Sequence, residues 1–318
     1  MPMAEAPAGP APEAYRAPFH AGLLHPRYWP TWLGLGVVAL ISMLPRPLVR
    51  ALGRGLAVLM WRFSARRRHI ASVNLALCFP EMDASTRERL LREHFRITAQ
   101  CFLDYGMLWF RGPGVHAQRI RLTGEAHYRA CREAGRPVII LAPHAPALDF
   151  GGLRMSQIHD GVSFAKPMKN PVVEWINHRS RTQYSGDIFA RAQGLRPALR
   201  HIRRGRFFYY LPDEDLGPEH SVFVPFFGVP KATLPALGRL AKLTGAAVLP
   251  SLSIYRPDED VYEMRLEPPM GDFPSGDAQE DARRMNEAIE AVVRRDPAQY
   301  LWTLKFFKTR PAGEGNVY

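Results

Sequence analysis

Apolar residues fall into two kinds of run along this chain. In the first kind the run is short and nearly continuous: PVIILA at 137–142, FFYYL at 207–211 and AAVLPSLSIY at 246–255. Runs of this length, bounded by Gly and Pro, predict strands buried on both faces. Val162 to Ala165 and Tyr262 to Leu266 read as two further strands. In the second kind, apolar positions recur every three or four residues. Leu90, Leu91, Phe95, Ile97, Phe102 and Leu103 predict an amphipathic helix over 85–110, capped by Ser85 or Thr86. Leu234 to Thr244, Ala278 to Arg294 and the segment NPVVEWINHRSR read as helices on the same pattern. Strands alternating with helices predict an α/β fold, a central mostly parallel mixed sheet flanked by helices.

The N-terminal part follows a different pattern. Residues 1–27 are rich in Ala, Pro and Gly and read as a flexible tail. From Tyr28 to Leu44 the chain carries no charge. This run opens with Tyr28, Trp29 and Trp32 and is followed by Arg46, Arg50 and Arg54. Its apolar core is shorter than the roughly 20 residues of a full span. Aromatics before it and arginines after it are the arrangement of a membrane interface with a cytoplasmic basic flank. A membrane-anchoring helix is therefore expected at 28–48, entering or barely crossing a bilayer. The second stretch, Leu52 to Phe63, and the cluster Arg66, Arg67, Arg68 and His69 extend it as a basic amphipathic collar on anionic lipid. Residues 49–318 form the remaining domain.

Composition adds two constraints. The 318 residues carry 42 Lys plus Arg against 30 Asp plus Glu, a formal net charge of +12. That balance favours polyanionic partners. The arginines are scattered and come with neither an RNA-binding aromatic motif nor a helix-turn-helix pattern, so nucleic acid is not expected. Cys78, Cys101 and Cys131 form no C-x-x-C pair, and buried free thiols are expected.

The candidate chemistry lies in PVIILAPHAPALDFGGL. A buried strand ends at Ala142, His144 follows, and Asp149 comes five residues later at the start of a helix. Open α/β sheets carry their sites just beyond the carboxyl ends of strands. The turn is expected to bring the Asp149 carboxylate to one imidazole nitrogen and leave the other facing substrate as a base. No G-x-S-x-G elbow supplies a nucleophile, so the nucleophile comes with the substrate. His144 would take a proton from a hydroxyl or amine that attacks an acyl carbonyl. No second His or Cys stands at ligand spacing, so neither metal nor cofactor is expected. Oxyanion donors would come from helix amides after Asp149 or from an arginine. A second strand-end loop holds Asp213, Asp215, Gly217 and Pro218. There Asp213 or Asp215 is expected to pair with an arginine and shape the acceptor site. Arg179 and Arg181, with Lys166 and Lys169, are expected to bind phosphate or carboxylate. Phe223 to Phe227 and Pro230 are expected to line an acyl-chain pocket.

The spacing His144-x4-Asp149 resembles the H-x4-(D/E) signature of the glycerolipid acyltransferase superfamily. HPRYWPTWLGLG at 25–36, RRRHIASVNLALCFPEM at 66–82, the long segment at 210–250 and YLWTLKFFKTRP at 300–311 narrow the resemblance. They are similar to the late acyltransferases of lipid A biosynthesis, the lauroyl and myristoyl transferases. Those enzymes commonly carry Glu where this chain has Asp149. Arg179 and Arg181 match the family's basic segment. The resemblance implies an acyl carrier protein as donor. It implies a phosphorylated glycolipid acceptor whose 3-hydroxyacyl hydroxyl becomes an acyloxyacyl ester. It also implies a place at the cytoplasmic face of a bacterial inner membrane. Acylation of glycerol-3-phosphate, a lysophospholipid or an ornithine lipid is the alternative within enzymes. A non-catalytic membrane or nucleic-acid binder is the alternative outside them.

Overall fold

The computed structural model describes residues 14–318. The first three helices, α1 (Trp29–Met43), α2 (Arg46–Phe63) and α3 (Ala65–Cys78), lead into the long α4 (Ala84–Phe110). Next come α5 (Pro113–Arg119), β1 (Ile120–Thr123), α6 (Glu125–Glu133) and β2 (Val138–Leu141). The middle of the chain supplies α7 (Leu148–Ile158), β3 (Gly161–Ala165), α8 (Pro171–Arg181), β4 (Gly186–Ala190), α9 (Arg196–Arg203) and β5 (Phe207–Tyr210). A hairpin of β6 (Val222–Phe226) and β7 (Val229–Thr233) follows. Then come α10 (Ala236–Thr244), β8 (Ala247–Arg256), β9 (Val261–Leu266) and α11 (Ala278–Arg295).

Seven strands form one sheet in the order β1-β9-β8-β2-β5-β3-β4. All neighbours are parallel except the β8–β9 hairpin. The five strands expected from the apolar runs are all present, and the mostly parallel mixed sheet flanked by helices is as expected. The reason is visible in β2. Ile139 and Leu141 join one core with Ile202, Leu237 and Ile289, while Val138 and Ile140 join the opposite core with Tyr128 and Met155. A strand covered on both faces needs no polar alternation. The C-terminal segment completes the first core: Tyr300, Trp302, Phe306 and Phe307 are wholly buried. Buried Asn74 fixes it by donating to the carbonyls of Trp302 and Leu304. Cys78, Cys101 and Cys131 are all buried.

Two expectations change in detail. The cap of α4 is Asp83, which accepts from the Thr86 amide at 2.9 Å. Ser85 and Thr86 instead donate their hydroxyls to that carboxylate. A carboxylate satisfies the amide and both hydroxyls at once, which neither hydroxyl could do. Half of the expected tail, residues 1–13, lies outside the described residues. From residue 14 on, the chain is docked: the Tyr15 amide donates to the Ile188 carbonyl, and Leu23 is buried. Among the described residues, no helix is long and apolar enough to cross a membrane. At 15 residues, α1 spans about 22 Å, against a hydrocarbon thickness of about 30 Å.

What α1 and α2 do present is an apolar exterior. Trp29, Leu33, Val37, Leu40 and Met43 of α1 are exposed, as are Leu48, Leu52, Leu59 and Phe63 of α2. Each set recurs at helical spacing, so each covers one face of its helix. Arg46 does not belong to that surface, although the charge pattern placed it there. It turns inward between Asp104 and Asp260.

Candidate functional site

Strand register decides what His144 meets. β2 and β5 are parallel neighbours with Leu141 opposite Tyr210, and the Ala142 amide continues the ladder to the Tyr210 carbonyl. Three residues beyond those partners lie His144 on one strand and Asp213 on the other. Strands about 4.8 Å apart therefore deliver the two side chains to the same point. His144 Nδ1 lies 2.6 Å from Asp213 Oδ1, and the His144 amide donates to Asp213 Oδ2 at 2.8 Å. The Tyr300 hydroxyl donates to the same Oδ2 at 3.0 Å, and the Leu301 amide donates to the His144 carbonyl. The C-terminal segment thus buttresses both members of the pair.

This corrects the expected pairing. Asp149 does not take the imidazole nitrogen; Asp213, 69 residues away in sequence, does. Asp149 sits in the first turn of α7 and accepts from Arg181 Nε at 2.9 Å, Arg181 Nη2 at 3.0 Å and the Tyr105 hydroxyl at 2.8 Å. Gly151 lets this turn lie against the sheet, because a Cβ there would come within 2.0 Å of Ser253 Oγ. Neither Asp213 nor Asp215 pairs with an arginine. Asp215 accepts from the Gly217 amide and from the amide and hydroxyl of Thr309, and so ties its loop to the C-terminal segment. Gly217 has φ +100°, in the left-handed region that favours glycine. These two residues shape the loop rather than line the cleft.

The electrostatics follow from burial and pairing. Burial pulls the His144 imidazolium down, but Asp213, by charge and hydrogen bond, and Glu214 outweigh it. The net effect raises His144 above its ordinary value. Burial also pushes both aspartates up. Arg181 and Tyr105 overcome this at Asp149, and His144 with Lys231 overcomes it at Asp213, so both carboxyls end below the usual range. The pair therefore has an ionised Asp213 facing Nδ1, which fixes Nδ1–H and leaves Nε2 as the acceptor.

His144, Asp149 and Arg181 open onto one cavity of about 370 Å³, which also reaches Ser163, Lys166, Arg191 and Glu214. His144 keeps 15% of its side chain exposed there, with Nε2 3.7 Å from Glu214 Oε1. Arg191 holds that glutamate by an ion pair. A second cavity of about 530 Å³ shares Phe164, Arg191, Tyr209, Leu211 and Glu214 with the first. Its other walls include Leu195, Phe208, Tyr210, Leu216 and Leu234. This second cavity is mostly apolar, and Phe223 to Phe227 and Pro230 do not line it. Those residues form the β6–β7 hairpin, where Phe226 and Phe227 are buried in the core. Arg179 is exposed and stacks over Trp175 at 5.9 Å; neither it nor Lys169 lines the cleft.

Sequence reasoning missed Tyr105, Arg191, Glu214, Lys231 and Tyr300. Tyr300 lies in the YLWTLKFFKTRP segment and Glu214 between the two noted aspartates, so each had a signal nearby. Tyr105 and Arg191 had none.

A family model described as bacterial lipid A biosynthesis acyltransferase matches residues 16–309. The chain is similar to the lipid A biosynthesis myristoyltransferase of Escherichia coli K12, 38% identical over 309 residues covering 96% of this chain and 94% of the relative. It is 36% identical to a lipid A biosynthesis acyltransferase of Haemophilus influenzae, covering 94% of each. It is 34% identical to the lipid A biosynthesis lauroyltransferase of E. coli K12, covering 94% of this chain and 98% of the relative. The chain belongs to the bacterial lipid A biosynthesis acyltransferase family.

Proposed function

We propose that this protein transfers a fatty acyl chain from an acyl carrier protein thioester to a hydroxyl on a lipid A precursor, with His144 as the general base. The observation that carries this reading is the His144–Asp213 hydrogen bond at 2.6 Å, made where an imidazole faces a cavity that shares walls with an apolar one. Nε2 takes the proton of the acceptor's 3-hydroxyacyl hydroxyl as its oxygen bonds to the thioester carbon. The tetrahedral oxyanion then collapses, the carbon–sulfur bond breaks, and the imidazolium returns the proton to the departing thiolate. An acyloxyacyl ester and a free thiol result.

Asp213 keeps the ring in the productive tautomer and stabilises the imidazolium that forms. Asp149 holds Arg181 by two of its nitrogens, which leaves Nη1 to donate toward an oxyanion or an acceptor phosphate. The acyl chain fits the apolar cavity bounded by Leu195, Phe208 and Leu234. A net charge of +12 suits an acidic donor protein and a phosphorylated acceptor. The exposed apolar faces of α1 and α2, with the arginines beside them, suit the surface of an anionic bilayer. On this reading the protein works at the cytoplasmic face of the inner membrane, where its acceptor is.

The test is His144→Ala with acylated carrier protein and a phosphorylated lipid A precursor, followed by product mass. General-base loss is expected to cost about 10² to 10⁴ in kcat, with the unfolding midpoint held. Wild-type turnover by that variant would end the mechanism. Transfer by the wild type to a lysophospholipid or glycerol-3-phosphate, and none to the precursor, would reassign the acceptor.

A further inference from the structure

A groove of about 580 Å³ between α2 and α4 takes no part in the mechanism above. It shares no lining residue with the His144 cavity or with the apolar cavity beside it. Four arginines stand on its walls: Arg50 and Arg54 from α2, Arg92 and Arg96 from α4. Glu93 is the only carboxylate among the lining residues.

Packing sets the order of these cations. A Cβ on Gly53 would strike Gln100 Oε1. Further along, Trp61 meets Phe95 edge-on at 5.6 Å, and Arg92 stacks over Trp61 at 4.4 Å. The two helices therefore run antiparallel, and the groove carries Arg50, Arg54, Arg96 and Arg92 in that order. Within each helix the arginines are four residues apart, a spacing at which like charges repel. The protein does not balance them. Arg92 pairs with Glu88 and Arg96 with Glu93, both on the exposed surface. Arg50 donates to the neutral carbonyl of Pro257. Among the described residues Arg54 has neither hydrogen bond nor ion pair. Beneath the cations the wall is apolar, with Ala57, Phe95 and Ile97 buried.

Unbalanced guanidinium groups above an apolar floor suit an amphiphilic anion. The helix itself indicates which kind. Leu52 lies two residues from Arg50 and from Arg54, about 200° round α2, and it is exposed. A helix resting on a bilayer by that side carries its arginines at the level of the lipid phosphates. Free phosphate would gain nothing from the apolar floor, and a soluble acidic protein would leave Leu52 uncovered.

We propose that the α2–α4 groove is a second lipid site, separate from the catalytic cleft, in which Arg54 and Arg96 hold the phosphate headgroup of an anionic phospholipid of the bilayer. The inference rests on α2 facing a membrane and not on His144 being the base.

The experiment is calorimetric titration of the full chain with dihexanoyl phosphatidylglycerol below its micellar concentration. The wild type is expected to bind one lipid, and to bind dihexanoyl phosphatidylcholine and glycerol phosphate far more weakly. One arginine beside an anionic lipid contributes about fivefold in affinity. Arg54→Gln combined with Arg96→Gln is therefore expected to weaken phosphatidylglycerol binding about thirtyfold, with the unfolding midpoint held. Arg204→Gln combined with Arg239→Gln removes the same charge from exposed positions outside the groove and should bind as wild type does. Undiminished binding by R54Q/R96Q, an equal loss in R204Q/R239Q, or equal affinity for phosphatidylcholine each overturns the proposal. Glycerol phosphate bound as tightly as the lipid would make this a free-phosphate site and overturn it too. Flotation with phosphatidylglycerol vesicles separates the premise from the site. A protein that binds the short lipid but does not float would uphold the groove and instead reject the bilayer reading of α2.

Discussion

Asp104 and Tyr105 sit side by side on α4, yet each belongs to a different cluster built from the same parts. In one, Arg46 is gripped by Asp104 and Asp260, with the Tyr262 hydroxyl on Asp104 and the Tyr255 hydroxyl on Asp260. In the other, Arg181 is gripped by Asp149, with the Tyr105 hydroxyl on the same carboxylate. The difference lies in what is left over. All three nitrogens of Arg46 are spent on carboxylate oxygens. Arg181 spends Nε and Nη2 and keeps Nη1, at the wall of a cavity. A cluster whose arginine has every nitrogen engaged holds helices together; one whose arginine keeps a whole nitrogen in reserve can meet a ligand.

The comparison breaks most visibly at Arg46. Arg46→Met leaves Asp104 and Asp260 without their common cation, and removing one partner of a buried pair costs about 3 to 5 kcal/mol. Denaturant unfolding should register that loss in full. Turnover per folded molecule, measured below the new midpoint, should not change. A large loss of turnover in still-folded protein would mean that this cluster also serves the chemistry.

Arg181 should behave the opposite way. Arg181→Lys keeps a charge beside Asp149 but loses the planar fork and its spare donor. Removal of one preorganised donor typically lowers kcat by about 10² to 10³. That loss is expected with only a minor change in unfolding midpoint. Wild-type kcat would place Arg181 with Arg46 as a purely structural cation and leave the oxyanion to the amides of α7.

The same contrast shows what the sequence could reveal. Central strands were legible because burial on both faces writes them as unbroken apolar runs. The two edge strands were not: IRLT of β1 carries an arginine, and GDIFA of β4 an aspartate. Edges keep polar residues that discourage further pairing, so they read as loop. The β6–β7 hairpin hid behind Pro225 and Pro230. In the site, His144 was legible from its place after a strand, while its carboxylate was not. Sequence proximity favoured Asp149, five residues on. The partner is set by the register of two parallel strands, which brings in a residue from the far end of another crossover. Strand-end offsets carry that information once the pairing of β2 with β5 is known.

A third pair, Arg191 with Glu214, lies at the rim and refines the distinction between holding and tuning. Glu214 Oε1 stands 3.7 Å from His144 Nε2, and its charge favours the imidazolium, while Arg191 opposes it. A base must be neutral to act, so activity is lost as pH falls through the raised His144 midpoint. Glu214→Gln removes one charge that raises this midpoint and leaves Arg191 uncompensated. Both changes act in the same direction, moving the acid limb of kcat/KM to lower pH. Solvent reaches this pair, so screening keeps the shift small, on the order of half a unit. A limb that rises or stays still in E214Q would mean that Glu214 turns away from the imidazole once acceptor is bound.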